Sequence, residues 1–172
     1  MQGAGGTRYC DWWFTNDAIM IDTAGRYTSQ EDSKKAETKS WLSFLSILKK
    51  GRPKRPLNGI IVTISVRDIL TKTNTQKSLH AKAIKQRVQE LNHQLNMELP
   101  VYVVLTKTDT IAGFTTFFDD MEEEDRKQVW GFNFPNKAIE RNNDFKNHFN
   151  NEYNTLIESI NNHVLYLSLI HI

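Results

Sequence analysis

The apolar run Ala18-Ile19-Met20-Ile21 ends abruptly in Asp22-Thr23-Ala24-Gly25-Arg26-Tyr27. A stretch short enough for a buried strand gives way at once to a carboxylate and then to small residues. No other juncture in the chain constrains the fold as tightly, because it sets a charged, close-approach loop at a strand end. A carboxylate there can hold Mg²⁺ directly or through water, and small residues after it let backbone N–H groups approach a γ-phosphate. Further along, Val101-Tyr102-Val103-Val104-Leu105 runs into Thr106-Lys107-Thr108-Asp109. This has the shape of an [Asn/Thr]-Lys-x-Asp loop, in which the Asp accepts from two N–H groups on the edge of guanine while the Lys stem lies over the ring. Either tetrapeptide alone occurs by chance. Both at strand ends, in this order, make a joint signal.

The remaining segments supply the elements that such loops need. Arg8 to Phe14 and Ala18 to Asp22 flank the short polar Thr15-Asn16-Asp17, which predicts a hairpin with Trp12 and Trp13 on opposite faces. Trp41, Leu42, Phe44, Leu45 and Leu48 repeat at helical spacing and stop at Lys49-Lys50-Gly51, where cations and a glycine suit a helix end. The basic connector Arg52-Pro53-Lys54-Arg55-Pro56 reads first as a solvated loop and second as a contact for an acidic partner or lipid headgroups. Gly59 to Val66 is β-branched enough for a strand buried on both faces, as in a parallel sheet. After a polar gap from Thr71 to Lys77, Ile84, Val88, Leu91 and Leu95 form a helical stripe. Strand, helix, strand, helix, strand predicts a doubly wound α/β sheet, in which ligands bind beyond the carboxyl ends of the strands. Both loops fall at such ends.

Beyond Asp109 the expectations are coarser. Asp119 to Gln128 should hold a short helix opened by acidic residues, and Val129 to Pro135 should be a last strand at the place of a final base-contacting loop. Phe145, Phe149, Tyr153, Leu156, Ile160 and Val164 make an amphipathic stripe. The domain boundaries expected are 1–135 for a partial nucleotide-binding domain, 136–166 for a helical segment leading onward, and 167–172 for a non-native tail of uncapped apolar residues.

Composition excludes more than it assigns. The 172 residues suit one domain, and 22 basic against 20 acidic residues leave a formal charge of +2, too small to argue for nucleic acid. A single cysteine, Cys10, cannot form an internal disulfide and lies near no activating base. The five histidines are scattered without metal-ligand spacing, and no nucleophile elbow is present. No apolar run approaches the roughly 20 residues that span a bilayer. Nor is there a Gly-x-x-x-x-Gly-Lys-[Ser/Thr] loop. That phosphate cradle normally precedes the strand at Asp22, so the expectation is a fragment beginning inside its domain.

The stretches Thr7 to Phe14, Ile21 to Tyr27, Arg52 to Gly59, Pro100 to Asp109 and Val129 to Pro135 resemble the TssM/IcmF family of type VI secretion and its type IVB relatives. The paired tryptophans before DTAGRY and the RPxRPxNG connector carry more of the resemblance than the generic loops do. It implies a P-loop NTPase-like, small-GTPase-like three-layer α/β sandwich with a mostly parallel sheet, on the cytoplasmic side of a protein of the bacterial inner membrane. The parent protein would help to build a trans-envelope complex with a DotU-type inner-membrane partner (TssL), an outer-membrane lipoprotein (TssJ) and baseplate components.

If GTP or ATP binds with Mg²⁺, Asp22 holds the metal, joined by Thr7 as a first-switch threonine. Thr23 and the Gly25 amide meet the γ-phosphate, Lys107 and Asp109 meet the base, and Thr106 shapes their loop. Small GTPases commonly place a water-orienting Gln directly after DTAG, whereas Arg26 stands there in this chain. It can touch phosphate, but it is no general base because it stays protonated. The structural alternatives are Asp22 capping a turn, Thr106 and Asp109 bracing a helix start, and Thr7 as an ordinary loop residue. Two function classes follow: a slow nucleotide switch, or a degenerate GTPase fold used as a docking scaffold.

Overall fold

A computed structural model describes residues 10–23, 34–119, 121–134 and 145–170, leaving aside the side chains of 34–37 and 166–170. The chain divides into two compact units, Met1–Thr110 and Ile111–Ile172.

In the first unit the expected hairpin forms. β1 (Asp11–Phe14) pairs antiparallel with β2 (Ile19–Asp22), Trp12 opposite Ile21 and Trp13 opposite Met20. Thr15 closes the turn. Its backbone N–H and its hydroxyl both donate to the Ala18 carbonyl at 2.9 Å, and the hydroxyl accepts from the Ala18 N–H at 3.0 Å. Helix α1 (Lys34–Gly51) and helix α3 (Asn74–Leu95) then pack on each other. Trp41, Leu45 and Leu48 repeat every three or four residues on α1, and Leu91 and Leu95 do so on α3, so each helix turns one apolar stripe inward. With Leu99 they form the buried core, and Leu45 is fully enclosed at 0% exposure. Lys49 Nζ donates to the Gln94 carbonyl at 2.9 Å, tying the end of α1 to the last turn of α3.

β3 (Ile60–Ser65) pairs with β4 (Val101–Thr106) in parallel, Ile60 opposite Val101 and Ser65 opposite Thr106. The ladder starts close. A Cβ on Gly59 would meet the Pro100 carbonyl oxygen at 3.3 Å, and Ile60 N–H donates to that same oxygen at 2.9 Å. The expectation of a strand buried on both faces is corrected here. Ile60 rests on the helical core, but Ile61 is 60% exposed and Val101 to Leu105 are exposed throughout. The helical core reaches the start of β3 at Ile60, while both faces of β4 are exposed among the described residues.

One helix was not foreseen, and the expected helix after the polar gap starts earlier, within that gap. Helix α2 (Val66–Thr71) follows β3 without a break. Helix α3 starts at Asn74 because Thr73 and Gln76 form a capping box, each side chain satisfying the other's backbone N–H.

In the second unit, Gly113 adopts φ +81°, open to glycine at little cost, just before α4 (Phe114–Asp119). α5 (Glu123–Arg126) opens on three acidic residues as expected. Val129 to Phe134 form no strand, against expectation. Val129 is 92% exposed, while Trp130, Phe132 and Phe134 are spent on ring contacts. Trp130 meets Phe117 and Phe118 edge-on at 5.7 and 5.0 Å, and Phe134 stacks on Phe149 at 6.3 Å. Phe149 lies on α6 (Phe145–Ile170), which continues as helix through Leu167 to Ile170. Aromatic packing has taken these residues out of any ladder.

Substituting Leu45→Ala should leave a cavity between α1 and α3 and cost about 2–5 kcal/mol of stability. Denaturant unfolding checks this, and a loss under about 1 kcal/mol would mean that the α1–α3 contact is not the core.

Candidate functional site

Parallel pairing brings the carboxyl ends of β3 and β4 side by side, with Ser65 directly across from Thr106. At β3 the chain enters α2 at once. Ser65 is its N-cap, yet the hydroxyl makes no cap bond, and Oγ is buried with no hydrogen-bond partner among the described residues. At β4 the chain reverses through Lys107, whose φ of 57° is the left-handed conformation that non-glycine residues seldom adopt. The Lys107 carbonyl then accepts twice from Thr110, from N–H at 3.2 Å and from Oγ1 at 2.6 Å. The loop therefore closes as a single 3₁₀ turn over Thr108–Thr110, with Asp109 at its centre and exposed.

Helix α2 packs against that turn. Asp68, in the first turn of α2, accepts from Lys72 Nζ at 2.7 Å through Oδ2. The Lys72 bond holds the Asp68 carboxyl below the usual carboxylate range. Partial desolvation opposes this, and the charges of Lys72, Lys107 and His80 reinforce it. Thr106, Lys107 and Asp109 share the turn after β4, near Ser65 and α2 with its Asp68 and Lys72, which sequence reasoning did not single out. A signal existed for Asp68. It is a carboxylate three residues past a strand end, the position a helix's first turn favours.

Asp22 and Thr23 stand at the end of the other ladder. Asp22 is exposed and lies directly opposite Asp11 in the β1–β2 register. Thr7, Gly25 and Arg26 lie outside the described residues. Among the described residues, no group of three or more His, Cys, Asp or Glu side chains is arranged to hold a metal. None of the described helices is long and apolar enough to cross a membrane. A shallow groove in the second unit is lined in part by Asp125, Gln128, Ser159, Asn162 and His163.

A parallel two-stranded ladder, with helices before, within and after it, makes the first unit a mixed α/β one. The particular family is the IcmF-related N-terminal domain, which matches residues 34–168. The chain belongs to that family. It is also 47% identical over 134 residues to the "Type VI secretion system component TssM1" of Pseudomonas aeruginosa, a match covering 78% of this chain and 12% of that protein. No solved structure matches the chain significantly.

With Lys72 and Asp68 side chains 36% and 45% exposed, their pair is worth only about 0.2–0.5 kcal/mol. The folded-state pKa of Asp68 is depressed, so this contribution is present above the unfolded pKa of about 3.9 and is lost as pH falls through the lower folded value. Urea unfolding of Asp68→Asn against wild type should show a small deficit at neutral pH that closes in acid. A deficit independent of pH would remove the ion pair from the explanation.

Proposed function

We propose that this chain is part of a P-loop NTPase-like, small-GTPase-like domain in a type VI secretion component, supporting assembly of the trans-envelope complex and switched by nucleotide. The observation that carries the nucleotide half is the strand-end arrangement: Thr106, Lys107 and Asp109 closed into one turn across from Ser65. Asp109 is exposed where it can accept from a base edge, and the Lys107 stem stands beside it. The secretion half is supported by family membership and by the likeness to TssM1.

The fold half has its own support. Ile21 of β2 and Ile60 of β3 pack against the same helical core, yet their ladders share no hydrogen bonds. On this proposal Asp22 holds Mg²⁺ with Thr7, Thr23 and Gly25 face the γ-phosphate, and Arg26 touches phosphate. The domain would lie on the cytoplasmic side of the inner membrane within a membrane-spanning parent. Its companions would be a DotU-type partner, an outer-membrane lipoprotein and baseplate components.

The test is titration of fluorescent GTP and ATP, with Mg²⁺, into the full-length protein. Micromolar affinity is expected, weakened at least tenfold by Asp22→Ala, with Asp109→Ala abolishing any preference for guanine. A folded protein that binds neither nucleotide would sink the switch and leave a docking scaffold.

A further inference from the structure

Lys107 has a requirement that its own backbone cannot meet. A lysine ammonium swings on a flexible four-carbon stem, and stacking that stem over a base needs the head held still. The backbone of the 3₁₀ turn is fixed by Thr110, but the Lys107 side chain is exposed and makes no hydrogen bond among the described residues. What faces it is α2. Because Ser65 and Thr106 are register partners, the first turn of α2 and the turn after β4 leave the sheet side by side and pack together. Asp68 is the acidic residue in that first turn. Its Oδ2 is occupied by Lys72, while Oδ1 accepts no hydrogen bond among the described residues.

Building on the nucleotide-site proposal above, we propose that Asp68 is a positioning residue whose carboxylate holds the Lys107 ammonium so that the lysine stem lies along the base-binding face. Lys107 is one of three cations, with Lys72 and His80, whose charge lowers the Asp68 pKa, so the two groups feel each other across the α2–turn contact. On this proposal the carboxylate is shared: Lys72 anchors it from within α2, one turn on, and Lys107 reaches it from the neighbouring strand end. An aspartate that served only α2, by complementing the helix dipole and pairing with Lys72, would be indifferent to Lys107.

The experiment has two arms on the full-length protein. In the first, affinity for fluorescent GTP is measured for wild type, Asp68→Asn, Asp68→Glu, Lys107→Ala and the Asp68→Asn/Lys107→Ala double variant. Asp68→Asn should weaken binding about fivefold, Asp68→Glu should restore it to within about twofold, and Asp68→Asn should add nothing once Lys107 is alanine. The same loss in the Lys107→Ala background would make the role structural and overturn the proposal. The second arm needs no nucleotide. A zero-length carbodiimide cross-link, in a Lys72→Arg background that removes the competing amine, should join Asp68 to Lys107 in peptide mass spectra. Its absence overturns the proposal whatever the nucleotide does. If the cross-link forms but no nucleotide binds, the function proposed above has failed while the Asp68–Lys107 contact stands.

Discussion

The first unit depends on one apolar contact, the packing of α1 on α3 around Leu45. That contact does more than bury surface. Leu99, part of the same core, lies two residues ahead of β4, so closing the helix pair also fixes where that strand begins. Ile21 and Ile60 rest on the same residues, which sets β2 and β3 against the same helical layer. Thr106, Lys107 and Asp109 stand away from this contact, at the carboxyl end of β4, whereas Asp22 directly follows the core-facing Ile21. Ile60 and Ser65 are separated by about 16 Å of extended chain. A rigid ladder carries position across that distance, from a dry end that holds the fold to a wet end that presents Asp109 and Lys107. Such a division lets the strand-end loops change without loosening the core.

How much of this could be read from the residues depended on the length of the pattern. Helix α1 showed its stripe because Trp41, Leu45 and Leu48 sample two turns, and the hairpin showed because Thr15 to Asp17 interrupt two apolar runs. Helix α2 has six residues, too few for a period to emerge, so Val66 looked like strand and Thr71 like the edge of a loop. The start of α3 was written in Thr73 and Gln76 at capping-box spacing, a signal that the polar composition around it concealed. Val129 to Phe134 misled for a tertiary reason. Aromatic residues favour strands when a neighbouring strand is there to receive them, and here other rings received them instead. For the site, Thr106, Lys107 and Asp109 could be found from spacing along one segment. Asp68 carried only the weak signal of a carboxylate just past a strand end, and its nearness to the turn after β4 follows from the pairing of Ser65 with Thr106.

The conformation of Lys107 bears on what that residue is for. The described structure has two non-glycine residues at positive φ, Asn96 after α3 and Lys107 after β4. Asparagine tolerates the left-handed region through local hydrogen bonding, and Asn96 there closes the helix with its N–H on the His93 and Asn92 carbonyls. Lysine has no such compensation, and glycine would make the same reversal at lower cost. The two hydrogen bonds from Thr110 offset the strain, but they act on the Lys107 carbonyl and would serve glycine equally well. The backbone therefore does not explain a lysine at this position. Its side chain does, if an ammonium is needed at this strand end, beside Asp109 and within the field of Asp68.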